Sequence, residues 1–251
     1  MSDPGVLTLA IETSNPSAAE PSRAEVAVGP LGGAAVAVEA VSGDRDRDDL
    51  LPAMDRVCRA AGVRPAEVRV VAVSLGPGGF TSLRAACAAA KALAVMHGAG
   101  VVGMPSAVAA AAAEDERWPA GGLEGGLAVA LASKGARALV TVFEHSPLRD
   151  GAGAVRAAEG MRAMAGDEVV ASGVRTLVAD QHLPEAMRAA CEAAGMEVRP
   201  LRLGGAAVLR AAGLFAVRHG EAADGLAPLY GREPEAVTLW RERRQGKGGA
   251  G

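Results

Sequence analysis

The sequence predicts an α/β protein built of two similar halves, each around a mixed sheet. Three observations lead there. The first 113 residues read as three strands, then helix, strand, helix, strand, helix. Residues 114–126 hold acids, Pro119 and four glycines, the composition of a linker. After them the chain restarts with two strands, as it began.

The elements follow in order. Residues 6–11 form a first strand, ending at Glu12-Thr13-Ser14; residues 15–23, with two prolines, form a loop. Residues 25–29 and 34–41 are two strands around a Gly29-Pro30-Leu31-Gly32-Gly33 turn, so the first three strands make an antiparallel meander. The charge run 42–49 is a solvated loop whose acids suit a helix start. In the helix 48–61, Leu50, Leu51, Met54, Val57, Cys58 and Ala61 recur at helical spacing, and Gly62 closes it.

Val70 to Leu75 is short, apolar and β-branched, as a strand covered on both faces should be. Gly76-Pro77-Gly78-Gly79 interrupts it, and Thr81 or Ser82 caps a helix 82–97 of strong helix formers, stopped by Gly98. A strand at 100–102 and an alanine-rich helix capped by Ser106 complete the half. A meander followed by parallel strands with helical crossovers is the order of a ribonuclease-H-like or actin-like half. The second half reads as strands 127–131 and 138–143, a loop 149–155, a short helix, strand 176–179, helix 184–194, strand 196–198 and helix 204–219. The expected division is 1–113, 127–240 and a basic, glycine-rich, disordered tail 241–251.

With 50% apolar residues but only 2% aromatics, the core must be aliphatic and alanine-rich, with closely approaching helices. A net charge of −3 lacks the basic excess of a nucleic-acid-binding domain. Three scattered cysteines, Cys58, Cys87 and Cys191, fit reduced thiols in a cytosol, and the expected location is cytoplasmic. The sequence shows no signal peptide at its start and no apolar run of about 18 residues, so no membrane span is expected.

The glycine turn carries no Walker pattern, and Pro77 removes a donor that a phosphate cradle needs. It is also not G-x-G-x-x-G, since Thr81 stands at the third glycine. A strand–glycine–helix junction still suits either a ligand or a close backbone crossing. Glu12 is a lone carboxylate at a strand end, a weak metal site. His97, His145, His182 and His219 are isolated, so no metal ion is expected to be held. No cysteine has a nucleophile's local signature. The helix 82–97, small all round, either covers its sheet or presents a second face to a partner, as does 48–61.

Leu9-Ala10-Ile11-Glu12-Thr13-Ser14, Leu50-Leu51-Pro52, Gly76-Pro77-Gly78-x-Phe80-Thr81-x-Leu83-Arg84 and Ala88-x-Ala90-Lys91-x-Leu93-Ala94 resemble the TsaB (YeaZ) family. Val101-Val102-Gly103-x-x-Ser106 and the closing Pro228-Leu229-Tyr230-Gly231-Arg232 fit it too. The marks are dense to about Ala113, sparse in the middle, and return near Pro228. Gly79 stands for the family's turn serine and Ser82 for its glycine. Asp46, Arg47 and Asp48 replace its His-Ser-Glu, Ala132-Ser133-Lys134 replace its Asp-Ala-Arg, and the loop 15–23 is longer.

The resemblance implies an actin-like (ASKHA) fold of two ribonuclease-H-like subdomains. It implies a non-catalytic subunit that binds a TsaD-like enzyme and supports threonylcarbamoylation of the tRNA adenosine beside the anticodon. A TsaE-like ATPase would join the same complex, tRNA contact would be indirect, and the lone chain could pair with itself. The H-x-x-x-H motif of the catalytic glycoprotease-like kin is absent here. Leu50, Leu51, Met54, Cys58, Leu83, Cys87 and Ala90 are the expected partner-packing residues. Glu12, Gly76, Gly78, Thr81, Arg84 and Lys91 are the expected nucleotide or rim contacts. No cofactor is implied, with ATP or ADP entering only at the partner interface. Two alternatives stay open. One is an actin-like ATPase or metallopeptidase using Glu12 and the Gly76 turn; the other is an RNA-binding module resting on Arg241, Arg243, Arg244 and Lys247.

Overall fold

The computed structural model describes residues 5–14, 24–42, 49–115, 126–149 and 159–230. The loop 15–23, most of the charge run, linker residues 116–125, the loop 150–155, the closing segment beyond Tyr230 and the basic tail lie outside the described residues.

The first sheet holds β1 (Leu7–Glu12), β2 (Ala24–Pro30), β3 (Ala37–Val41), β4 (Val70–Ser74) and β5 (Gly100–Met104), in the order β3-β2-β1-β4-β5. Strands β1, β2 and β3 are antiparallel; β4 and β5 run parallel to β1. The second sheet holds β6 (Leu127–Lys134), β7 (Arg137–Phe143), β8 (Arg162–Met164), β9 (Thr176–Ala179) and β10 (Glu197–Pro200). Read from β8, its order is β8-β7-β6-β9-β10, the same pattern with the same senses. This is the actin-like arrangement of two ribonuclease-H-like halves that the sequence predicts.

The helices are α1 (Leu50–Ala60), α2 (Phe80–His97), α3 (Ser106–Ala113), α4 (Gly166–Ala171), α5 (Glu185–Ala193), α6 (Gly205–Ala212) and the short α7 (Glu221–Asp224). Alternation along the strands separates three cores. Leu9, Ile11, Val26, Val28, Val71 and Val73 face α1 and α2. Ala10, Ala27, Ala72 and Val102 face α3 and α6, which also meet Leu127, Val129 and Leu131 of the second sheet. Ala128, Ala130 and Leu177 face α4 and α5. The layers thus run α1/α2, sheet, α3/α6, sheet, α4/α5. The scarcity of aromatics finds its reason in the middle layer. Residues 107–112 of α3 are buried on every side, and only small side chains let a helix sit between two sheets.

Several local expectations change. Helix α2 begins at Phe80 with Gly79 as its N-cap, so Thr81 and Ser82 belong to its first turn and do not cap it. Ser106 is the first residue of α3, behind Pro105, and its hydroxyl is spent elsewhere. Residues 34–36 belong to the hairpin turn. The three-residue strand β8, too short to show a period, was not expected. The helix expected over 204–219 ends at Ala212; Gly213 follows it and the chain turns back to the first half. Glu114 and Asp115, expected in the linker, are anchored. Glu114 is buried against Arg199 (3.4 Å), and Asp115 meets Arg149 (3.4 Å) and Arg210 (3.7 Å).

Candidate functional site

The turn between β4 and α2 sits where β1, β4 and α3 converge. Gly76 has φ 103°, a left-handed conformation that suits glycine, and the Gly76–Pro77 peptide is cis. Gly76 N donates to Ser106 Oγ at 3.1 Å, and Ser106 N donates to Gly76 O at 2.9 Å. The turn is thereby clipped to the first residue of α3. On its other side Gly79 N donates to Ser14 O at 2.9 Å, and a Cβ on Gly78 would collide with that same carbonyl. The two backbones are in contact, so the glycines serve the close crossing.

Beneath the turn lies a buried hydroxyl chain. Ser74 Oγ and Ser106 Oγ are 2.5 Å apart, Ser106 Oγ donates to Ser14 Oγ at 2.7 Å, and Ser14 Oγ donates to Glu12 Oε1 at 2.5 Å. Ser74 Oγ also donates to Ser14 Oγ at 3.3 Å, so Ser74 and Ser106 both converge on Ser14, whose hydroxyl donates to the Glu12 carboxylate. Glu12 Oε1 also accepts Ser14 N at 2.6 Å. All four side chains are buried. Glu12 is therefore turned onto Ser14 inside the protein. That chain was not foreseen, since three serines 32 to 92 residues apart leave no local signal.

The expected partner residues divide sharply. Leu50, Met54, Cys58, Leu83, Cys87 and Ala90 are buried in the protein's own core. They point at the sheet, because the periodicity that picks them out is the periodicity of the inward face. Burial pushes the thiols of Cys58 and Cys87 up, away from the reactive thiolate. Of the seven, Leu51 alone is exposed, at 60%.

Of the outward face of α2, the sequence singles out Thr81 and Arg84 as contacts and leaves Ala88, Ala92, Val95 and Met96 unmarked as such. That face carries Thr81, Arg84, Ala88, Ala92, Val95 and Met96, spaced three and four apart. Val95 is 82% exposed and Met96 70%. A helical wheel of α2 contains this stripe, but its own weak contrast hides which face turns out. Thr81 and Arg84 are on the surface, and Arg84 lies 5.2 Å over the Phe80 ring. Lys91 is half-buried and donates to the Asp224 carbonyl at 2.8 Å. Gly76 is buried. Among the described residues no three His, Cys, Asp or Glu side chains gather as metal ligands.

Helix α1 is pinned by charge. Asp49, its N-cap, accepts from Ser42 N (2.8 Å) and from both Arg56 terminal nitrogens (2.9 Å each). The Arg56 guanidinium, then the Ser42 amide, lower the Asp49 carboxyl to about 2.

Residues 41–169, over half of the chain, match the family described as TsaD, tRNA N6-adenosine threonylcarbamoyltransferase. The chain belongs to this family. The TsaD-family segment spans α1, the cis-proline turn, α2 and α3. Among solved structures the chain is similar to a Pseudomonas aeruginosa protein described as similar to peptidase YeaZ, with TM-score 0.63 and 18% identity. That match covers 90% of this chain and all of the other. YeaZ from Pseudomonas aeruginosa gives TM-score 0.62 and 17% identity, over 90% of this chain and 99% of that one. The fold is that of YeaZ. No curated protein matches by sequence. No helix among the described residues is long and apolar enough to cross a membrane.

Proposed function

We propose that the chain is a non-catalytic subunit of the tRNA threonylcarbamoyladenosine machinery, binding and supporting a TsaD-type enzyme through the outer face of its first half. The observation that carries the reading is the stripe Ala88, Ala92, Val95 and Met96 on α2, with Leu51 on the neighbouring α1. Two large apolar side chains more than two-thirds exposed on one helix end suit burial by another protein. Membership of the TsaD family and the YeaZ fold support the reading. The four histidines are never four apart, so the H-x-x-x-H pattern of the catalytic relatives is missing from the sequence. The inward Glu12 and the closed Gly78–Ser14 crossing also leave the turn poorly suited to a phosphate.

The test is co-purification of this chain with the TsaD-type enzyme of its own organism. The wild type should be retained. The double variant Val95→Lys, Met96→Glu should keep its melting temperature and lose at least about tenfold in affinity, as hot-spot truncations do. Failure of the wild type to bind under any salt or nucleotide condition refutes the scaffold role. Tight Mg-ATP binding with turnover abolished by Glu12→Ala would make the protein an enzyme instead. In that complex the cell compartment is the cytoplasm, tRNA is reached through the partner, and a TsaE-like ATPase is the third component. A nucleotide would enter only at the partner interface.

A further inference from the structure

The chain leaves α6 at Ala212 and comes back across the first half. Val101 N donates to Arg218 O at 2.8 Å and Arg218 N to Val101 O at 2.9 Å, a bridge on the outer edge of β5. The side chains of Val217 and His219 fill the space that a Cβ on Gly100 would need. Ala223 and Leu226 are buried in the core under α1 and α2, and Leu226 lies where a Cβ on Gly103 would come within 2.6 Å of it. Leu229 N then donates to Leu75 O at 2.7 Å, alongside the cis-proline turn.

Beyond this packing, two side chains join the segment to α2 by directional contacts among the described residues. Near the helix middle, Lys91 Nζ donates to the Asp224 carbonyl at 2.8 Å. At the helix start, the Tyr230 ring stacks on Phe80, with centroids 4.9 Å apart and planes 26° from parallel. The chain has one tyrosine and three phenylalanines, and two of these four meet here. What α2 turns to its own sheet is mostly small: Ala86, Cys87, Ala89 and Ala90, with Leu83 fully buried and Leu93 partly buried as its large side chains. Small residues interlock weakly, so directional contacts must fix where such a helix sits.

We propose that residues 217–230 are a brace that sets the pose of α2, holding the helix at its start through Tyr230 and at its middle through Lys91. The brace rests on the reading of α2 as the partner-facing helix for its consequence: partner affinity depends on a segment that arrives from the second half. Lys91 and Tyr230 are positioning residues in this view, and the partner reads the helix they hold.

The test uses the full chain as Tyr230→Ala, Lys91→Met and Tyr230→Phe, at an exposed tyrosine and a half-buried lysine. Hydrogen exchange of α2 amides is measured on the protein alone, and the Kd for the TsaD-type enzyme by calorimetry. Tyr230→Ala and Lys91→Met should speed α2 exchange about tenfold while leaving α3 and α6 amides unchanged, and weaken the partner complex about as much. Tyr230→Phe should restore both, because the ring stack is kept. A merely structural contact would shift exchange in every element together. Unchanged α2 exchange in both variants overturns the brace, whether or not the enzyme binds. Faster α2 exchange with an unaltered Kd also overturns it. If the wild type does not bind the enzyme, the partner reading falls and the exchange data alone decide whether α2 is braced.

Discussion

Ser106 holds more of the structure than its size suggests. Its hydroxyl accepts from Gly76 N, pairs with the Ser74 hydroxyl and donates to Ser14, while its amide donates to Gly76 O. Ser106→Ala should leave Gly76 N without its partner inside the core, while the Ser74 hydroxyl keeps only its longer bond to Ser14 Oγ at 3.3 Å. The expected loss is about 1–3 kcal/mol in denaturant unfolding, the cost of one orphaned buried group. An unchanged midpoint would mean that the chain of hydroxyls is not stabilising. The sequence marks Ser106 as a helix cap and Glu12 as a strand end, and the structure moves Ser106 into the first turn. Sequence reasoning missed that the two share a network, because the strands that align them come from distant segments. Gly78 shows the opposite case. Its need for glycine was legible, and only the Ser14 carbonyl beside it supplied the reason.

At the scale of elements, α1 is tied to β3 by Asp49, whose folded carboxyl at about 2 lies below the ordinary value near 3.9. A lowered acid stabilises the fold above its unfolded pKa, and that contribution fades as pH falls toward the folded value. Asp49→Asn should therefore melt below the wild type at pH 5–7, and the gap should close between about pH 4 and about pH 2. Thermal melts followed by circular dichroism check this; a gap that persists at pH 2 would deny the linkage. The same helix and α2 were legible as elements from their spacing and caps. Their outward faces were not. Periodicity selects the residues that stay inside, and for α2, nearly all small, inside and outside look alike. The end of α6 was misread because Leu214, Phe215 and Val217 continue an apolar run, while in the structure they pack on the middle core from outside any helix.

For the whole molecule, the decisive layer is the middle one, where α3 and α6 are shared by both sheets. Ala110 is fully buried there. Ala110→Leu should overpack the layer and cost about 1–3 kcal/mol, read as a lower midpoint in urea. Equal stability would mean that α3 has room on one side. By itself the sequence determined the two-half α/β architecture, the strand–glycine–helix junction and the want of a paired-histidine site. These are local matters of period, glycine placement and residue spacing. Only the tertiary structure decided that Glu12 is spent on Ser14, that Leu50, Met54, Cys58, Leu83, Cys87 and Ala90 face inward, and that Val95 and Met96 face out. It also decided that residues 217–230 return to meet α2. The reason is physical. Exposure and long-range contact depend on which other segments arrive beside a residue, and the spacing within its own segment carries no record of them.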